Sequence, residues 1–238
     1  MTITTIGLDG DDTLWHNEKS FREAEQHFVQ LLENCADKET IENVLFSTIS
    51  RNIGLYGYGF KPFTLSMIEA ANLICKRTIP SHLIKEILSL GRGMMEQPVK
   101  LIDNVVETLE TLHKNYRLLL VSKGDLVEQA RKLAKSGLGD YFDRIEIVSH
   151  KDKAVYEELL KRNGLNAKNF VMIGNSLKSD ILPALAASTF AVYIPYEITW
   201  VHEMADEPYN HEGYFKVEKI ALLPPLIQAI SSQNNGFA

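Results

Sequence analysis

Ile3-Thr4-Thr5-Ile6-Gly7-Leu8-Asp9-Gly10-Asp11-Asp12-Thr13-Leu14-Trp15 is a short β-prone run that delivers three carboxylates within four positions and then a threonine. Acids at the end of an apolar strand are costly unless a cation or a reaction compensates them, because like charges this close repel. On an extended backbone Asp9 and Asp11, two apart, are expected to face the same side. One carboxylate can then act as nucleophile or metal ligand while the second carries a proton beside it. Asp12 reads as a turn-stabilising acid.

Downstream of Trp15 the pattern is helical for roughly eighty residues. Phe21, Ala24, Phe28, Leu31, Leu32 and Cys35 recur at helical spacing, as do Ile41, Val44, Leu45, Thr48 and Ile49. A glycine and aromatic loop, Gly54 to Pro62, separates these from two further helical stretches, and Pro62 and Pro80 suit helix starts. From about Pro98 strands and helices alternate. The predicted strands are Leu118–Ser122, Ile145–Val148, Phe170–Ile173 and Phe190–Ile194, and helices are expected to end at Gly137 and Gly164. Such alternation predicts a parallel sheet covered on both faces. The fold class is therefore α/β: a doubly wound, three-layer α/β/α sheet with an inserted all-helical domain. Residues 1–15 and 99–238 are assigned to the sheet domain and 16–98 to the insertion. The tail after Ser231 is expected to fray.

Composition narrows the function classes. A net charge of -6 gives no basic footprint for nucleic acid. No window approaches the roughly 20 apolar residues that span a bilayer, and no basic stretch followed by an apolar run marks a signal peptide. The two cysteines, Cys35 and Cys75, read as buried thiols of a reducing compartment, so a cytoplasmic location is expected.

Strand ends in this class of sheet converge on one crevice. Just beyond the predicted strands stand Asp9 to Thr13, Ser122-Lys123-Gly124-Asp125, His150-Lys151-Asp152-Lys153, and Gly174-Asn175-Ser176 with Asp180 following. An anionic tetrahedral group bound beside a divalent cation uses every residue type in that set. Phosphoryl transfer needs in-line attack, charge neutralisation and a proton donor for the leaving group.

Asp9-Gly10-Asp11-Asp12-Thr13 resembles the first motif of the haloacid dehalogenase superfamily, Asp-x-Asp-x-Thr. Ser122 matches the second motif, Lys151 or Lys153 the third, and Gly174-Asn175-Ser176-Leu177-Lys178-Ser179-Asp180 the fourth, all in family order. Lys151 stands four residues before Val155, the spacing seen in family members, whereas Lys153 stands two before it. The helical block lies where the superfamily carries its C1-type cap. The resemblance implies a Mg²⁺-dependent phosphatase acting on a small phosphate ester through an aspartyl-phosphate. Asp9 is implied as nucleophile, Asp11 as acid and base, and Lys151 as charge neutraliser. Ser122, Lys123, Gly124 and Lys151 are implied to bind phosphate, and Asp9, the Asp11 carbonyl, Asn175 and Asp180 to hold Mg²⁺. Position 175 departs from the family pattern, which usually has Asp there. That substitution removes a charge, so retained but weaker Mg²⁺ binding is expected.

A phosphomutase, a 2-haloacid dehalogenase and a non-catalytic binding protein are alternative occupations of the same fold. The dehalogenase reading is disfavoured because such enzymes need neither an acid like Asp11 nor a metal. A monomer or homodimer is expected, with no nucleic-acid or membrane partner.

Overall fold

The computed structural model describes residues 2–76 and 78–233. The predicted fraying tail lies largely outside them. The chain divides into two compact units. One gathers the residues up to Glu18, Val99–Lys123 and those from Gln129 onward; the other holds Lys19–Pro98 with Gly124–Glu128.

The first unit is built on six parallel strands: β1 (Thr5–Leu8), β2 (Arg117–Lys123), β3 (Arg144–Val148), β4 (Phe170–Gly174), β5 (Phe190–Tyr193) and β6 (Tyr214–Lys216). Their order is β3-β2-β1-β4-β5-β6, with Thr5 in register with Arg117 on one side and Phe170 on the other. This is a doubly wound sheet, as the alternation of elements predicts.

Alternate side chains of each strand feed different cores. Ile6, Leu8, Leu118, Leu120, Val171, Ile173 and Val192 pack with α5 (Val105–Leu112), Leu133 of α6 (Leu126–Ser136) and α9 (Leu223–Gln233). Leu119, Val121, Phe170, Met172, Ala191 and Tyr193 pack with α7 (Lys153–Arg162) and α8 (Leu182–Ala186). Strands apolar on both faces bury each face against helices. Gly7 interrupts that pattern because a Cβ there would lie 2.5 Å from the Phe170 ring of the neighbouring strand. Gly137 and Gly164 end helices in the left-handed region, at φ 71° and 64°, where glycine alone is unstrained. Strand β6 was not foreseen, because three residues are too few for alternation to register.

The second unit packs four helices, labelled here αA (Glu18–Leu32), αB (Lys38–Tyr56), αC (Phe60–Ile74) and αD (Ser81–Glu96). Phe28, Leu32, Ile41, Met67, Ala70 and Ile87 fill their shared core. Asp37 caps αB by accepting from Thr40 N. Gly91 lets αD approach αC, since a Cβ there would meet Thr64 Oγ1 at 2.2 Å. The expected loop from Gly54 to Pro62 shrinks to Gly57–Gly59, because αB continues through Tyr56 and αC begins at Phe60. The cysteines correct another expectation: Cys35 is exposed and Cys75 partly so, because they stand in the turns that close αA and αC. Their sulfurs lie 3.6 Å apart as free thiols. Among the described residues no helix is long and apolar enough to cross a membrane.

Candidate active site

The winding of the sheet reverses between β1 and β4, and open sheets of this kind bind ligands outside the carboxyl ends at that reversal. Asp9 follows β1 there and Asn175 follows β4. The Asp9 amide donates to Ile173 O at 2.9 Å, which ties the two strand ends together.

Beyond Asp9 the chain turns at once. Gly10 O accepts from Leu14 N at 2.8 Å, and a Cβ at Gly10 would meet the Trp15 ring at 2.6 Å. Asp12 sits at φ 60° and accepts from the amides of Asn17 and Glu18, so it is the turn-stabilising acid that its sequence context predicts. Burial pushes its carboxyl up to about 7. Strand β1 ends at Leu8, and Asp11 remains close enough that its charge adds to the upward push on the Asp9 carboxyl.

The two carboxylates bond to different partners. Asp9 is buried, and its Oδ1 accepts from Lys151 Nζ at 2.5 Å. The same ammonium reaches Asp180 Oδ1 at 2.6 Å. Burial and the Asp180 charge push the Asp9 carboxyl up to about 7, against the pull of Lys151. Burial by itself would lower the Lys151 ammonium, but Asp180 and Asp9 outweigh it and hold the group well above its ordinary value. Lys151 therefore stays charged, one cation between two buried carboxylates. Thr13 Oγ1 lies 3.3 Å from Asp9 Oδ2 and 3.2 Å from Asn175 Oδ1.

Asp11 turns to α6 instead. Its carboxylate accepts from Trp15 Nε1 at 2.6 Å, Gln129 Nε2 at 2.9 Å and Lys132 Nζ at 3.0 Å. Gln129 and Lys132 stand three apart on the helix, a spacing that places both on one face. Neither residue is singled out in the sequence, and that spacing is the only local signal that could have pointed to them. Trp15 is fully buried: its ring fills the space over Gly10 while its indole N–H serves Asp11.

The remaining expected residues fall at the neighbouring strand ends. Ser122 is buried on β2, and its Oγ accepts from Gln129 Nε2 at 2.9 Å. Lys123 turns to Glu203 and to Ser179 Oγ, the latter at 2.9 Å. Gly124 follows at φ 144°, a conformation suited to glycine. Lys153 stands at the first position of α7, exposed and paired with Glu157 at 3.2 Å. Asp152 caps that helix by accepting from Val155 N, so Lys151 lies just outside the helix and faces inward while Lys153 projects from its first turn. Asp180 lies in a π-helical turn, Leu177–Ile181, and its Oδ2 accepts from Ser176 N at 3.0 Å. Gly174 makes room for it, since a Cβ there would lie 2.2 Å from Asp180 Oδ2.

The donor chemistry around Asp9 suits a hard divalent cation. Asp9, Asp180, the Asn175 amide and main-chain carbonyls offer only oxygen, and a single ammonium leaves the two buried carboxylates one positive charge short. Among the described residues no three of His, Cys, Asp and Glu gather into a metal-holding group. Two carboxylates, completed by carbonyls, water and a ligand phosphate, is the donor set Mg²⁺ ordinarily accepts.

A family model for haloacid dehalogenase-like hydrolases matches residues 3–188. Among solved structures, a haloacid dehalogenase-like family hydrolase from Xanthomonas campestris is 38% identical, with a TM-score of 0.88; the match covers 98% of this chain and 94% of that one. A glyceraldehyde 3-phosphate phosphatase from Methanothermobacter thermautotrophicus is 26% identical over 208 residues, 83% of this chain and 88% of the relative. An N-acylneuraminate-9-phosphatase from Mus musculus is 26% identical over 155 residues, 62% of this chain and 60% of the relative. The six-stranded doubly wound sheet and these matches agree: the chain belongs to the haloacid dehalogenase-like hydrolases.

Proposed function

We propose that this hydrolase is a Mg²⁺-dependent phosphatase that cleaves a small phosphate ester through a phosphorylated Asp9. The observation that carries the reading is the pair of acids flanking Gly10, one beside a buried lysine and a second carboxylate, the other held by three donors. Relatives named as phosphatases favour the same chemistry.

In the first step an Asp9 carboxylate oxygen attacks phosphorus in line, a P–O bond forms to Asp9, and the ester P–O bond breaks. Asp11 gives its proton to the departing alkoxide, so an alcohol leaves. In the second step Asp11 takes a proton from water as that water attacks phosphorus, and Asp9 is released with inorganic phosphate. Lys151 and Ser122 stabilise charge that grows on the phosphoryl oxygens. Asp9, Asp180, Asn175 and the Asp11 carbonyl would hold Mg²⁺, which supplies Lewis-acid neutralisation of the phosphoryl group. The helical insertion over 16–98 takes the place in the chain of a C1-type cap.

Phosphate release from a panel of phosphorylated metabolites, with and without Mg²⁺ and with Asp9→Asn as control, tests this. Mg²⁺-dependent release by the wild type alone is expected. Absence of release across the panel would overturn the reading.

A further inference from the structure

Glu203 lies in a short 3₁₀ turn, Val201–Glu203, after β5. Its carboxylate is largely buried, yet it is the meeting point of three separate segments. Glu203 Oε2 accepts from Ser176 Oγ and from Ser179 Oγ, each at 2.5 Å, and Oε1 is paired with Lys123 Nζ. Lys123 Nζ also donates to Ser179 Oγ at 2.9 Å, so the ammonium, the Ser179 hydroxyl and the carboxylate close a ring.

The partners' places in the chain give this cluster its meaning. Lys123 directly follows Ser122 at the end of β2, Ser176 directly follows Asn175, and Ser179 directly precedes Asp180. Ser176 in turn organises the π-helical turn from both sides: its amide donates to Asp180 Oδ2 at 3.0 Å and its Oγ accepts from Ser179 N at 2.9 Å. The Tyr156 hydroxyl adds a bond to Ser179 O at 3.1 Å. A π-helical turn is not a self-sufficient structure and persists where side chains hold it. Glu203 supplies a charged acceptor to both serines of this one.

We propose that Glu203 is a positioning residue: its carboxylate fastens the Asn175–Asp180 turn to the end of β2, fixes where Asp180 stands beside Lys151, and holds the Lys123 ammonium away from the substrate's phosphate. The proposal deepens the phosphatase reading and rests on it for the role of Asp180. It departs from the assignment of Lys123 as a phosphate ligand. A lysine already neutralised by a buried carboxylate has its charge committed elsewhere. Glu203 does not touch the reacting atoms; it acts through Ser176, Ser179 and Lys123.

The test uses the full-length protein with Glu203→Gln and, separately, Ser179→Ala, which removes one of the links without leaving a buried charge unpaired. Amide hydrogen exchange is followed by mass spectrometry for residues 176–181, in buffer without metal. Protection there should fall at least about tenfold in Glu203→Gln and by a smaller factor in Ser179→Ala, while the peptides of β1 and β4 keep theirs. The Mg²⁺ concentration that half-maximally raises the melting temperature should climb by about tenfold in Glu203→Gln, the scale of loss seen when outer partners of metal ligands are removed. Unchanged exchange at residues 176–181 in both variants overturns the positioning role, whether or not the protein proves to be a phosphatase. If Glu203→Gln fails to fold, Ser179→Ala decides the matter by the same exchange measurement. A wild type without Mg²⁺ response or phosphate release overturns the phosphatase reading instead, and the exchange measurement then still decides whether Glu203 holds the turn.

Discussion

Asp9 and Asp11 are separated by one glycine, and they live in opposite surroundings. Asp9 shares one ammonium with a second buried carboxylate, and its proton affinity rises accordingly. Asp11 meets an ammonium, an amide and an indole N–H. The first site lacks positive charge and gains by acquiring it from an electrophile or a cation. The second is saturated with donors, which fix its orientation while a proton comes and goes. A single turn at Gly10 creates the contrast by sending two nearly adjacent side chains to different elements.

The sharpest way to break this contrast is Asp9→Asn. Turnover should drop on the order of 10⁴-fold or more, since the nucleophile is lost. Thermal stability without metal should hold or rise, because a repelling charge beside Asp180 disappears; a lowered melting temperature would contradict the charge-deficient description. Lys151→Met attacks the same site from the other side. It leaves two buried carboxylates without their cation and should destabilise the metal-free protein by about 3–5 kcal/mol in denaturant melts. Combined with Asp9→Asn, the loss should be at least about 1 kcal/mol less than the sum of the singles, as expected for groups in direct contact.

Effects at Asp11 should be milder. Lys132→Met removes one of three donors, costing about 1–2 kcal/mol in stability and lowering kcat while leaving KM close to wild type. A KM change without a kcat change would place Lys132 in substrate binding instead. Smallest of all is Asn175→Asp. It adds a charge to the cation-deficient side and should lower the half-saturating Mg²⁺ concentration by a few-fold in activity titrations, because ligand charge tunes affinity for hard cations. An unchanged Mg²⁺ profile would remove Asn175 from the ligand set.

The sequence disclosed what depends on local pattern. Apolar strands alternating with helices indicated the parallel sheet, and the acids after β1 marked its carboxyl edge. It left Lys151 and Lys153 as rivals, because both sit near a helix start. Only the cap at Asp152 shows which of them lies outside the first turn. Gln129, Lys132 and Glu203 were missed as site partners for one reason. Their contacts join residues that lie far apart in the chain, 121 positions for Lys132 and Asp11 and 80 for Glu203 and Lys123. No local period encodes such a distance.

The placement of β1 also has a consequence for the order in which the protein can be made. Of this sheet's strands it is synthesised first, yet it lies in the interior of the sheet, hydrogen-bonded to β2 and β4, which emerge a hundred or more residues later. During synthesis the segment Thr5–Leu8 must wait as an unpaired apolar strand while four helices form behind it, and those helices share a core of their own. Long-range parallel pairing is intrinsically slow. The nascent chain therefore passes through a stage in which the helical segment can be ordered while Asp9 has not yet met Lys151 and Asp11 has not yet met Lys132.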